Sequence, residues 1–378
     1  MREELCHIIP THERPDVCQR LINSIHKYYP DHSIYVCDDS RQPNKYEHAK
    51  NVIAPAYDIG LSAKRNLLVQ KSDEPYIFLW DDDYLVTEDT DLEVFWELLH
   101  KLDDVGIVGG EWIRSNGRRD VWFTGDMWVE GPIEYHRPPE DIKSVDTSIG
   151  EIRYHDVMFC PNWFIADRRT VESIYWDEQL KLQEHSEFFA RLAATRSLVG
   201  KGSEKDDIWL ERYRNRQDGD DSLKVDSNGR VEVYTLSTFR NRDKLSHVGG
   251  MVSSNEWVRV DLDYAKDLEK KGLAYTRKSM DTARPFPIKS VGQDVPLGVA
   301  ITPDTTCYHI RWGENSKTES YNKNRFRNDF WPIQHQKLGT TDIDLVQWNS
   351  YPYKEIEYLK PKDVDFSTPN NYISYAKS

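Results

Sequence analysis

The sequence predicts an α/β fold: a mostly parallel sheet with helices on both faces, plus an inserted or C-terminal α+β extension. Three observations carry this. Short apolar runs of strand length alternate with amphipathic stretches over the first 110 residues. Residues 76–80 are continuously apolar and too short for a helix, which suits a central parallel strand buried on both faces. Polar, charged loops follow the strands at 10–14, 38–40 and 81–83, and in open α/β sheets ligands gather at such carboxyl ends.

Residues 4–9 (ELCHII) form a first strand, ended by Pro10. Over 17–29, Val17, Leu21, Ile22, Ile25 and Tyr28 recur at helical spacing until Pro30 and Asp31 stop the helix. Residues 34–37 are a second strand, broken by the turn Asp38-Asp39-Ser40. Gly60 precedes a helix over about 62–70; residues 90–102 form another helix and 105–108 another strand. Residues 111–155 read as loops and short strands framing a cleft, 157–166 as a strand and 183–192 as a helix. The stretch 195–300 is polar, with a strand at 231–236, and the aromatic but polar tail from 313 wraps the core.

Lys+Arg 50 against Asp+Glu 64 gives a net charge of −14, which repels phosphate backbones and argues against non-specific nucleic-acid binding. Five scattered cysteines without a C-x-x-C pair exclude a disulfide framework and thiolate zinc. No run approaches the roughly 18–20 apolar residues of a membrane span, and the start MREELCHIIP lacks a signal core. The expectation is a cytoplasmic protein without an anchor.

The sharpest chemical feature is Trp80-Asp81-Asp82-Asp83 after the apolar strand. Three consecutive carboxylates repel one another and need a counter-charge, which Mg²⁺ or Mn²⁺ would supply. On an extended chain, Asp81 and Asp83 point to one side. A solvated acidic turn is the plain alternative.

These segments resemble the nucleotide-sugar glycosyltransferases of the GT-A fold, family 2-like. IIPTHERP is similar to their opening strand and loop, IYVCDDS to their second strand ending, and GLSAKRNLLVQKSDEPYIFLWDDDYLV to their basic helix and Asp-x-Asp stretch. WDEQLKLQEHSEFFARL resembles their acceptor-side helix, and the four motifs appear in family order over residues 5 to about 192. The resemblance implies a GT-A-like, Rossmann-type core at 1–195, an insertion or acceptor-side subdomain at 196–300, and a closing strand with tail at 301–378. It also implies Pro10, Thr11, Glu13 and Arg14 cradling the nucleotide and Asp39, or Asp38, reporting the uracil imino proton. Lys64 and Arg65 would meet the base or diphosphate, a helix-face salt bridge being the alternative. Asp81 would touch the ribose side and, with Asp83, the metal, with Asp82 assisting.

An inverting transfer needs one carboxylate to take the acceptor proton. Glu184 is favoured, with Glu187, on the same helix face by spacing, and His185 as the other candidates. His309 in CYHIRWGENSK, with the stretch on to Tyr321 and Arg325, is similar to the family's closing segment and would complete the metal site; His247 competes for that role. An imidazole ligand favours Mn²⁺ over Mg²⁺. Trp112, Trp122, Trp128 and Trp163 are candidates for sugar stacking, core packing being the commoner fate. The implied activity is metal-dependent transfer of a hexosyl or N-acetylhexosaminyl group from a UDP-sugar to an acceptor hydroxyl of a glycan or another molecule, a modified base included. The alternatives are a sugar-phosphate nucleotidyltransferase, against which the glycine-free first loop weighs, and an inactive glycan-binding relative.

Overall fold

The computed structural model describes residues 3–114, 119–120, 124–130, 133–139, 141–178, 180–181, 184–217, 227–235, 257–270, 274–276, 288–310 and 342–345. Strand β1 (Leu5–Thr11), helix α1 (Pro15–Tyr28), β2 (Ser33–Asp38), β3 (Lys50–Ile53), α2 (Leu61–Lys71) and β4 (Tyr76–Leu79) open the chain. β1 pairs in parallel with β2 and β4, and β3 continues the parallel run at the edge. Then come β5 (Tyr84–Leu85), α3 (Leu92–Lys101), β6 (Val105–Arg114), β7 (Arg119–Asp120), β8 (Asp126–Glu130), β9 (Ile133–Arg137), β10 (Lys143–Thr147), β11 (Gly150–Val157) and β12 (Phe164–Asp167). Helices α4 (Arg168–Ile174), α5 (His185–Leu198) and α6 (Glu204–Gln217) follow.

β13 (Arg230–Thr235), β14 (Trp257–Asp261) and β15 (Ala274–Thr276) form a separate three-stranded sheet with α7 (Leu262–Lys270) between its last two strands in sequence. β16 (Gly298–His309) returns to the main sheet, and β17 (Asp342–Leu345) joins β8 and β9 in a third. The main sheet has the order β10-β11-β16-β6-β12-β4-β1-β2-β3, with β5 on β16 and β7 on β6. β12 is antiparallel to both β4 and β6, so β6 and its parallel neighbour β16 run in the same direction as the first four strands.

Alternation along the central strands assigns the helices to faces. Leu5 and Ile9 of β1 pack with Leu21, Ile22 and Ile25 of α1 and Phe95 and Leu98 of α3. Cys6 and Ile8 point the other way, against Leu68 and Val69 of α2 and Phe188 and Phe189 of α5. The sheet is thus mostly parallel and covered on both faces, as the sequence predicts. All five cysteines are free and buried. Among the described residues, no helix is long and apolar enough to cross a membrane.

Several boundaries move. β1 runs through Pro10 to Thr11, because the β4 partnership ends at Ile8↔Leu79. Pro10 shares the parity of Ile8, whose carbonyl accepts from Trp80 on the β4 side, so its missing N–H faces a strand that has already ended. The strand expected over 157–166 is two: β11 ends at Val157, and β12 begins at Phe164 after Pro161. β6 continues past Val108 through Gly109 and Gly110, where a Cβ would lie 2.7 Å from Cys160 Cβ and 2.3 Å from the Trp163 ring. Apart from β17, the tail lies outside the described residues, as do Trp122, Tyr321, Arg325 and the segment holding His247.

One buried group links the core to the acidic triplet. Trp80 Nε1, a donor only, donates to His7 Nδ1 at 2.9 Å, so the His7 proton sits on Nε2, 2.9 Å from His32 Nδ1. Burial, then the neighbouring His32, pushes His7 well below its ordinary value of 6.5. Folded His7 stays neutral where the unfolded residue binds a proton, so stability falls as pH drops below about 6.5. In urea titrations between pH ~7.5 and ~5.5, His7→Leu should flatten this slope. At the upper pH it should cost about 1–3 kcal/mol for the stranded indole N–H; a slope equal to that of the unsubstituted protein would contradict the assignment.

Candidate active site

The carboxyl ends of β1, β2 and β4 lie side by side, with Thr11 registered on Asp38 and Ile8 on Leu79. This brings the three polar loops to one rim. Helix α2 packs behind that rim and buries four polar side chains in its first turns: Ser62, Lys64, Arg65 and Asn66. Two of these are cations, and both are aimed at carboxylates.

In the first loop Glu13, exposed, adopts φ 53° and donates its N–H to Ser40 Oγ at 2.5 Å. Lys64 Nζ donates to the Thr11 carbonyl and to Asp39 Oδ1, both at 2.7 Å. His12 Nδ1 lies 2.8 Å from the same Asp39 oxygen, while Asp39 Oδ2 accepts from Gly60 N at 3.1 Å. Burial raises the Asp39 carboxyl, but the His12 hydrogen bond and the Lys64 charge outweigh it and hold it below its ordinary value. Asp38 faces inward: it accepts from Ser40 N at 2.9 Å, Asn44 N at 3.0 Å and Tyr46 Oη at 2.8 Å. Of the two, Asp38 therefore ties the turn, and Asp39 joins the first loop to α2.

The triplet 81–83 is a turn rather than an extended stretch, with Tyr84 N donating to the Asp81 carbonyl. Its three carboxylates consequently face different partners. Asp82 Oδ2 accepts from Thr11 Oγ1 at 2.6 Å, and Asp82 Oδ1 pairs with Arg14. Arg14 reaches Asp83 Oδ2 as well, at 3.1 Å. Burial pushes Asp82 above its ordinary value; Arg14 opposes this and the adjacent Asp83 charge adds to it. Asp81 Oδ1 pairs with Arg65 at 2.9 Å, and the other arm of Arg65 pairs with Glu184. Arg65 is fully buried, with Trp176 5.5 Å from its guanidinium.

Glu184 is the N-cap residue at the start of α5, and it and Glu187 have different partners. Glu187, fully buried, accepts from Arg191 at 2.9 and 3.0 Å and from Tyr213 Oη at 3.2 Å. His185 reaches Asn162 Oδ1 at 2.8 Å, and Asn162 donates to Asp81 Oδ2 at 3.4 Å. Asn162 escaped the sequence reading because nothing in its spacing distinguishes it from a loop residue.

β5 pairs with β16 so that His309 lies opposite Tyr84. His309 Nε2 is 3.4 Å from Asp83 Oδ1, its ring 5.1 Å from both Tyr84 and Trp112. Two neighbouring ligand atoms of an octahedral cation lie about 3 Å apart, so this pair fits one edge of a Mn²⁺ or Mg²⁺ site. Among the described residues, His12, Asp39 and Asp58 also bring ligand atoms within 4.8 Å of one another. There, however, Lys64 and Lys181 already neutralise Asp39 and Asp58. Trp112 and Trp163 are buried in the core, and Trp128 is half-buried under the Arg137 guanidinium.

Residues 6–159 match glycosyl transferase family 2. The matched region runs from β1 to β11 and so takes in the larger part of the mostly parallel, doubly covered α/β sheet. The chain is 34% identical over 178 residues to the mouse β-1,4 N-acetylgalactosaminyltransferase 2, covering 47% of this chain and 33% of that protein. It is 31% identical over 193 residues to the human β-1,4 N-acetylgalactosaminyltransferase 1, with the same coverage. The chain thus spans about a third of the length of the curated relatives it matches. Among solved structures, S. aureus TarS 1–349 in complex with UDP-GlcNAc is similar with a TM-score of 0.36 and 16% identity, covering 50% of this chain and 52% of that one.

The Glu187–Arg191 pair predicts a purely structural outcome. Glu187→Ala strands a buried guanidinium and should lower the unfolding free energy by about 3–5 kcal/mol in urea. A loss under ~1 kcal/mol would contradict the pairing.

Proposed function

We propose that the chain is a glycosyltransferase that moves an N-acetylhexosaminyl or related group from a UDP-sugar to an acceptor hydroxyl, with inversion and with a divalent cation. The observation that carries the reading is the Arg65 bridge. A single buried guanidinium joins Asp81, at the end of the strand that leads into the triplet, to Glu184, at the start of α5. Nucleotide-side and acceptor-side carboxylates thereby share one rim. The family match over 6–159 and the names of the relatives support the donor class.

In this reading the nucleotide lies along residues 10–14, 38–40 and 81–83. Asp83 and His309 hold the cation, which when bound offsets the negative charge of the departing diphosphate. Asp82, fixed by Thr11 and Arg14, keeps the turn in place. Glu184 takes the proton of the acceptor hydroxyl as its oxygen bonds to the anomeric carbon and the bond to the diphosphate oxygen breaks. Arg65 orients Glu184, and Asn162 links Asp81 to His185.

Two substitutions separate binding from chemistry. Asp83→Asn should abolish Mn²⁺-dependent UDP binding in calorimetry while leaving circular dichroism unchanged. Glu184→Gln should keep UDP binding but lower UDP release from UDP-N-acetylhexosamines with acceptor by about 10²–10⁴-fold. Unaltered turnover in both variants, or no UDP binding by the unsubstituted protein, would overturn the proposal.

A further inference from the structure

We infer that Arg14 is an exchangeable counter-ion: it holds Asp83 in the donor-free protein and passes to the donor's diphosphate when a divalent cation takes Asp83. The inference rests on the reading of the rim as a site for a nucleotide diphosphate and a cation.

The two arms of Arg14 are not equivalent. One pairs with Asp82, a carboxylate only 1% exposed whose second oxygen is already taken by Thr11 at 2.6 Å. That arm is locked. The other reaches Asp83 Oδ2 at 3.1 Å, on a carboxylate whose Oδ1 faces His309 at 3.4 Å. A cation seated between Asp83 and His309 therefore competes with one arm of Arg14 and spares the other. Placing a dication beside a guanidinium is unfavourable in a partly dry site, and the repulsion rises as the local dielectric falls. A diphosphate relieves it, because the freed N–H groups of a planar guanidinium suit phosphate oxygens geometrically.

Arg65 is a useful contrast. Its side chain is fully buried and each arm has its own carboxylate, Asp81 and Glu184, so it has no arm facing the cation edge. Arg14 is at the mouth of α1, 16% exposed, with Pro15 fixing the first helical position behind it. Its backbone is held while its outer arm faces the rim. The same geometry makes cation and diphosphate binding mutually reinforcing, since each removes what opposes the other. Such coupling is reciprocal and typically amounts to about 5–150-fold.

The test measures binding only. Free Mn²⁺ is followed by electron paramagnetic resonance, and UDP by calorimetry, each with and without the other ligand. In the unsubstituted protein, UDP should tighten Mn²⁺ binding by roughly 10-fold or more, and Mn²⁺ should tighten UDP equally. Arg14→Gln should bind Mn²⁺ alone more tightly, bind UDP more weakly and lose most of the coupling. Arg14→Lys keeps a charge on Asp82 but has no fork to span both carboxylates; it should show the same changes, and it carries the test if Arg14→Gln fails to fold by circular dichroism. Unchanged coupling in Arg14→Lys would show that Arg14 is a fixed strut and overturn the inference alone. Absence of both UDP and Mn²⁺ binding in the unsubstituted protein would overturn the functional reading and this inference together.

Discussion

The structure of the rim depends on two arginines that bridge four carboxylates. Asp81, Asp82, Asp83 and Glu184 crowd the ends of the central strands, and desolvated like charges at such spacing are unfavourable without partners. Arg14 joins Asp82 to Asp83, and Arg65 joins Asp81 to Glu184. From sequence, the triplet calls for a metal as its counter-charge. The protein supplies much of that charge itself, and formally two negative charges remain for a cation and its ligands to share.

This arrangement explains the burial of cations in α2. A helix behind a sheet normally presents apolar side chains, as α1 does with Leu21, Ile22 and Ile25. Helix α2 keeps Leu68 and Val69 for the core and spends its first turns on Lys64 and Arg65, which reach the first loop and the triplet. Lys64 clamps the Thr11 carbonyl to Asp39. Beneath the turn, the indole of Trp80 anchors on His7, so the residue preceding the triplet is fixed from the core side. Rigid positioning of charge before a substrate arrives is what electrostatic catalysis requires.

The sequence is most legible where one physical signal dominates. The α1 spacing and the apolar 76–80 run are one-sided or fully buried patterns, and both elements formed close to their expected bounds. Helix α5 extends well beyond the expected 183–192 because it is buried on nearly every side from Ser186 to Thr195, which erases amphipathic periodicity. Gly109 and Gly110 look like a strand end, yet their missing side chains make room for Cys160 and Trp163. The contacts of Arg65 with Glu184, 119 residues apart, and of His309 with Asp83 have no local signal at all. Only the sheet order, with β16 returning beside β6 and β5, brings them together.

The most direct measurement is the position of the anomalous scattering peak in crystals grown with UDP and Mn²⁺. The account requires a single strong peak between Asp83 and His309, with the diphosphate against the first loop. A peak at His12, Asp39 and Asp58 instead, with Asp83 and His309 still facing each other directly, would contradict it.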